Sequence, residues 1–293
     1  MNNKMNSLPS ISVVITTYQR PEYLQSALSC VLAQSAQASE IIVVNDSPSD
    51  DYTSCDELVN LSNAKLISTD GSKGANHARN TGANVASGDV IAFLDDDDIW
   101  LPEYLSKVVQ AYAEDRKVVA TLCGKRIMER QHIEKVNSEG FLTKAELQKG
   151  NTYCGVSGFT AKKEYLKQIP FDEELKNAQD WDIYIRFFQS GMCVKNISLP
   201  LYLYRTEVNS GITKSTQIIQ PTQALYRLDA ALKHRAWLGE EAFRERIISQ
   251  TLTNLMGKKY KLSWVKVCAE FIGWKSTVSA LFRKFRPSKK VSK

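Results

Sequence analysis

The sequence predicts an α/β fold: a mostly parallel, Rossmann-like sheet flanked by helices, followed by a helical C-terminal extension. Three observations predict it. Apolar, β-branched runs at 11–16, 41–44 and 90–94 lack polar alternation, as strands buried on both faces do. Helix-periodic segments separate them, the order that builds parallel strands with right-handed crossovers. From about residue 216 the pattern is helical to the end.

Residues 11–16 (ISVVIT) form the first strand. Pro21 precedes a helix over 22–34, in which Leu24, Ala27, Leu28, Val31 and Leu32 share a face. The second strand, 41–44, stops at Asn45-Asp46-Ser47-Pro48, a turn signal. Residues 56–61 suit a helix and 65–68 a third strand; 71–74 is a glycine-bounded loop and 75–86 a helix of small residues. The strand at 90–94 follows, then Pro102, a helix over 103–114 and a strand over 118–123. Residues 124–160 are polar and punctuated by glycine, with no clear period. A helix is predicted over 180–189, with Trp181, Tyr184, Ile185 and Phe188 on one face and Gly191 as its stop, then a strand over 198–204. No internal repeat is visible.

With 43% hydrophobic and 24% charged residues in 293, the chain has ample material for a core. Its six cysteines form no CxxC pair, which predicts reduced thiols, and its three histidines are too scattered for a zinc site. The N-terminus has no apolar signal core and no stretch approaches a spanning helix, so a cytoplasmic protein is expected. The net charge of +6 is uneven: residues 257–293 hold eleven Lys/Arg against one acid, Glu270, and the rest is near neutral. Charge so localised does not call for nucleic acid. In that tail Val265, Cys268, Phe271, Ile272, Val278, Leu281, Phe282 and Phe285 fall at helix-compatible spacing, with cations on other faces. This describes either a helix lying on an anionic membrane surface, at the inner face of the cell membrane, or one packed on the catalytic domain with a basic end.

The densest chemistry is the run Asp95-Asp96-Asp97-Asp98 at the end of the strand 90–94. Four adjacent carboxylates repel unless something positive is nearby, and a hard divalent cation such as Mg²⁺ or Mn²⁺ is their natural partner. Ligands in open α/β sheets bind beyond the carboxyl ends of the strands, where this run falls. Together these point to a cation–diphosphate site; a solvated acidic turn is the plainer alternative. In an extended segment Asp95 and Asp97 project to one side, Asp96 and Asp98 to the other. Neither GxGxxG nor GxxxxGK[ST] is present, so dinucleotide and P-loop sites lack their glycine machinery.

The order VVITTYQRPEYL, VVNDSPSD, GANHARNTGAN, VIAFLDDDDIWLPEYL, FDEELKNAQDWDIYIRF resembles family 2 glycosyltransferases, which have the GT-A fold, over about residues 11–210. The resemblance implies a nucleotide-sugar-binding half over 1–100, an acceptor-binding half of the same domain over 101–215, and a basic helical extension over 216–293. It implies an inverting sugar transfer from a nucleotide-sugar donor, first of all a UDP-sugar, to a hydroxyl of a glycan or lipid-linked acceptor in surface polysaccharide biosynthesis. Thr16, Tyr18 and Arg20 would lie against the nucleotide, Asp46 would accept from a base N–H or cap the turn, and Arg79 would lie near base or diphosphate. Asp95 and Asp96 would flank the donor, Asp97 with Asp95 would hold Mn²⁺ or Mg²⁺, and Asp180 would be the general base. Three positions depart from the family's pattern: Asn45 for a second carboxylate, Gln179 for Glu, and Glu207 for a histidine. A nucleotide-sugar-binding relative without turnover and a sugar nucleotidyltransferase are the alternatives; the latter should open with a glycine-rich basic loop, where this chain has Thr-Thr-Tyr-Gln-Arg.

Overall fold

The computed structural model describes residues 8–47, 49, 52, 55–61, 63–206 and 218–285. The chain divides into two compact units, Met1–Leu147 with Asn151–Glu207, and Gln148–Gly150 with Val208–Lys293.

In the first unit, β1 (Ile11–Thr17), β2 (Glu40–Asn45), β3 (Lys65–Ser68) and β4 (Val90–Asp95) alternate with α1 (Pro21–Leu32), α2 (Asp56–Leu61) and α3 (Ala75–Val85). The four strands pair in parallel in the order β3-β2-β1-β4. All seven residues of β1 are buried, which is why its sequence is apolar without alternation. Leu24, Ala27, Leu28 and Val31 of α1 are buried, as the helical period requires. The register sets Thr16 beside Asp95 and Thr17 beside Asn45. The carboxyl ends of β1, β2 and β4 therefore share one edge.

The sheet continues through β5 (Ile99–Trp100), β6 (Val118–Ile127), β9 (Thr160–Lys162) and β10 (Cys193–Tyr204), in the order β4-β9-β6-β10-β5. The edge strands β7 (Arg130–Lys135) and β8 (Gly140–Phe141) pair with β6 and β10. The helices here are α4 (Tyr104–Glu114), α5 (Lys144–Gln148), α6 (Lys163–Gln168) and α7 (Gln179–Gln189). One sheet thus runs across residue 100, and both halves of the first unit belong to it. β6 and β10 are parallel, but β9 joins the halves antiparallel to both β4 and β6. The reading of 124–160 contained no hint of β7 or β8, which are exposed or two residues long. β9 is three residues long, too short to show a period; it is fixed by a buried cluster in which the Thr160 hydroxyl lies 2.9 Å from Tyr112 Oη and 2.7 Å from Thr121 Oγ1.

Two sequence expectations need correction. β10 begins at Cys193 rather than 198, because its first half carries polar residues such as Lys195 and Asn196; Asn196 Nδ2 donates to the carbonyls of Asn137 and Ser138. In α7 the buried set includes Ile183 and Phe187 rather than Phe188, so the helix is covered over more than one stripe. Gly191, at φ 71°, ends it as expected.

The second unit is helical in its described residues: a 3-10 turn Pro221–Leu228, then Asp229–Lys233, Arg235–Leu252 with a break at Gly239, Lys261–Ile272 and Trp274–Phe285. No helix among the described residues is long and apolar enough to cross a membrane. All six cysteines are free.

Gly82 shows how closely α3 lies on the sheet. A Cβ there would come within 2.4 Å of Val14 Cγ1 and 3.0 Å of Val44 Cγ2. Gly82→Ala, which would normally favour a helix, is expected to destabilise the protein by about 1–3 kcal/mol through overpacking, measured by urea denaturation.

Candidate functional site

The acidic run begins at the last residue of β4, and the pleat decides what each carboxylate meets. The side chains of Asp95 and Asp97 are 29% and 23% exposed, whereas that of Asp96 is 0% exposed and Asp98 is buried. Basic residues answer the whole run. Arg79 Nη2 lies 2.7 Å from Asp95 Oδ1. Arg20 bridges two neighbours, with Nη2 2.7 Å from Asp96 Oδ1 and Nη1 2.9 Å from Asp97 Oδ2. The Arg205 backbone N–H donates to Asp98 Oδ1, and its Nε–H to the Asp97 carbonyl. The Arg20 and Arg205 guanidiniums also lie against the Tyr23 ring, at 5.7 and 4.8 Å from its centroid.

These cations do not discharge the site. Burial, then the charges of Asp97 and Asp95, push the Asp98 carboxyl well above the ordinary carboxylate range. Burial and the neighbouring Asp95 raise Asp97 as well. Asp96 is pushed up to about 7, chiefly by burial, against the pull of Arg20 and a hydrogen bond from Thr17. Burial works against the charge on Arg20, but Asp96 and Asp97 outweigh it and hold the guanidinium protonated.

Asp96 was expected beside the donor, and here the expectation is corrected. Its carboxylate is enclosed and accepts from Thr17 Oγ1 at 2.8 Å, so it anchors the loop instead. Asp46 is also engaged within the protein. Its Oδ1 accepts from Thr69 Oγ1 and the Lys73 N–H, and its Oδ2 from the Gly74 N–H, which shapes the loop leading into α3. The turn cap assigned to Asp46 as an alternative belongs to Asn45, whose Oδ1 accepts from the Ser47 N–H at 2.8 Å. Thr16 is buried at the end of β1 and donates to Asp95 Oδ1 at 3.3 Å. Tyr18 stands half-exposed just beyond it.

The second half of the site is held by α3. Asn76 Nδ2 donates to the carbonyls of Asp172 and Leu175, His77 Nδ1 lies 2.8 Å from Glu173, and Asn80 exchanges two hydrogen bonds with the Phe171 backbone. Arg79 Nη1 donates to Gln179 Oε1 at 3.1 Å. One buried guanidinium therefore touches both Asp95 and the residue before Asp180. Ala178, at φ 55°, turns the chain into α7 and sets Asp180 in its first turn. Asp180 Oδ2 accepts from Asn151 Nδ2 at 2.6 Å, and its Oδ1 from the Trp181 N–H at 2.7 Å. Burial raises its pKa, opposed by those hydrogen bonds and by the charges of Lys125 and Arg79. The Tyr204 hydroxyl is pushed up to about 12 by burial and by the charges of Asp98, Asp97, Asp180 and Asp95. Lys125 Nζ lies 4.3 Å from the centre of the Tyr204 ring. Charges from both halves thus act on one tyrosine.

Sequence reasoning missed Asn151, Thr17 and Lys125, whose roles come from distant partners; nothing in their local pattern marks them. The Ser157 hydroxyl accepts from the Asp95 N–H and also bonds Asp98, so it ties β4 to the acidic loop. Glu207 and the loop to Ser210 lie outside the described residues.

An edge-gathered acidic run, a cationic surround and a second acid from a later helix stand together in this α/β unit, and the comparisons give its class. The sequence profile of glycosyl transferase family 2 matches residues 12–170, more than half of the chain. The chain belongs to that family, and it is a glycosyltransferase. It is 31% identical over 176 residues to an uncharacterized glycosyltransferase of Nostoc sp., covering 55% of this chain and 54% of that protein. The match thus spans only about half the length of that relative. It is 26% identical over 232 residues to the Escherichia coli UDP-Glc:alpha-D-GlcNAc-diphosphoundecaprenol beta-1,3-glucosyltransferase WfaP, covering 77% of this chain and 89% of that one. Among solved structures, S. aureus TarS 1–349 superposes with a TM-score of 0.62 at 17% identity, covering 96% of this chain and 93% of that one. TarS has also been crystallised with UDP and with UDP-GlcNAc. The fold is that of the GT-A glycosyltransferases, as expected.

Replacing Asp46 by Asn leaves at least one of the three donors from residues 69–74 without its acceptor. The expected loss of stability is about 1–3 kcal/mol, read by chemical denaturation.

Proposed function

We propose that the chain transfers a sugar, with inversion, from a UDP-sugar to a hydroxyl of a lipid-linked glycan in surface polysaccharide biosynthesis. The observation that carries the proposal is the path Asp95–Arg79–Gln179, which links the acidic run to the residue before Asp180 although more than 80 residues separate them in sequence. The family supports a transferase, the UDP complexes of TarS support the donor, and the activity for which WfaP is named supports a lipid-diphosphate acceptor.

Thr16, Tyr18 and Arg20 at the end of β1, with Arg79, are the donor-side residues. Arg20 Nε and Arg79 Nε are buried without a hydrogen-bond partner among the described residues, and a phosphate oxygen would satisfy such donors. The acidic run suits a Mn²⁺ or Mg²⁺ ion. Asp97 and Asp95 would hold it as partly exposed hard oxygen ligands whose mutual charge already raises Asp97. Among the described residues no three His, Cys, Asp or Glu side chains form a group that could hold a metal ion, so such an ion would take the rest of its shell from phosphate and water. When bound, such an ion supplies neutralisation of the charge that builds on the departing diphosphate.

Asp180 then accepts the proton of the acceptor hydroxyl as that oxygen bonds to the anomeric carbon and the bond to the UDP oxygen breaks. Attack from the face opposite the leaving group inverts the centre. Asn151 and the Trp181 N–H hold the carboxylate in one orientation, and the charges of Lys125 and Arg79 favour its ionised form. Gln179, where the family commonly has Glu, favours one second reading: a donor-binding relative without turnover.

Asp180→Asn is expected to lower transfer by about 10²–10⁴-fold while UDP binding by calorimetry stays nearly unchanged. Near-normal turnover in that variant would remove Asp180 from the mechanism; donor binding with no turnover in the unaltered chain would favour the second reading. Because Asp180 acts when ionised and burial raises its pKa, transfer should fall as pH drops through a value above the ordinary Asp pKa of about 3.9. Chelation with EDTA, or Asp97→Ala, should abolish turnover, with Mn²⁺ restoring only the chelated enzyme; full activity in EDTA would exclude the cation.

A further inference from the structure

The helix Trp274–Phe285 is built inside out for a helix of a folded unit. Its small residues Thr277 and Ala280 face inward at 0% and 3% exposure, while Trp274, Val278 and Phe282 stand at 60%, 42% and 71%. Those three recur every four residues and form one row. The adjacent row, one position further on, is Lys275, Ser279 and Arg283, all exposed. Arg283 is paired with Glu245 at 2.8 Å, an exposed contact of the kind worth little in water. The helix therefore presents an aromatic–aliphatic row and a cationic row side by side, both to solvent.

We propose that this face binds an anionic lipid bilayer, with Trp274, Val278 and Phe282 entering the acyl–headgroup boundary and Lys275 and Arg283 meeting lipid phosphates. Charge chooses the occupant. Residues 257–293 hold eleven Lys/Arg against one acid, so a two-fold contact with a second copy would set like charges against each other. A nucleic acid would engage the cations through its phosphates and leave the apolar row uncovered. Only a surface that is anionic outside and apolar beneath covers both rows. The proposal is independent of the transferase reading, since vesicle binding requires no turnover.

The test is flotation of the full chain with vesicles of phosphatidylcholine alone and of phosphatidylcholine mixed with phosphatidylglycerol, with Trp fluorescence recorded in parallel. The unaltered protein should float with the mixed vesicles, shift its emission to the blue, and release at high salt. Trp274→Ser combined with Phe282→Ser should weaken binding by at least about tenfold, the loss of two buried aromatic anchors, with no change in its unfolding temperature because both sites are exposed. Lys275→Gln with Arg283→Gln should reduce the preference for the anionic lipid. Equal binding to both vesicle types, undiminished binding by the double serine variant, or a dimer in light scattering that this variant dissociates would each overturn the proposal.

Discussion

One buried guanidinium organises the first unit. Arg79 sits on α3 over the Phe171 ring and donates to Asp95 at the end of β4 and to Gln179 at the start of α7. An arginine can do this because its planar fork presents several donors in fixed directions. Around it Asn76, His77 and Asn80 clamp residues 171–175, so the polar face of one short helix fixes the approach to α7. The spacing between the acidic run and Asp180 is thus set by a side-chain bridge rather than by the sheet alone.

The sheet supplies what that bridge needs. Parallel pairing of β1 with β2 and β4 brings Thr16, Asn45 and Asp95 to one edge, and Gly82 lets α3 lie directly on Val14 and Val44. Beyond that edge burial, and then the repulsion of neighbouring aspartates, raises the carboxyls of Asp97 and Asp98 despite the nearby arginines. The inward-turned Asp96 and Asp98 keep the loop that carries Asp95 and Asp97 in place through Thr17, Ser157 and Arg205.

Legibility followed chain distance. The strands at 11, 41 and 90 announced themselves because burial on both faces favours short, mostly apolar and β-branched runs without polar alternation. The alternation of the aspartates was readable because an extended backbone has a period of two, and their exposures follow it. Residues 124–160 were not readable, since β7 and β8 are exposed edges and β9 is too short to carry a pattern. Asp46 and Asn45 show the limit most plainly. Both were recognised as turn residues, yet which one caps the turn depends on the 69–74 loop arriving to occupy Asp46.

By itself, the amino-acid sequence determined the α/β class, the edge of the sheet on which the acids gather, the family, and the concentration of net positive charge in the C-terminal segment. The class, the edge and the charge are local properties, fixed by periodicity and composition within a few residues, whereas the family rests on the order of motifs along the chain. Tertiary structure alone decided that Arg79 joins Asp95 to Gln179, that Asn151 holds Asp180, that Arg20 spans Asp96 and Asp97, and that Trp274, Val278 and Phe282 face solvent rather than the core. Such pairings join residues far apart in the chain, and no local pattern encodes which side chains will meet when separate elements pack.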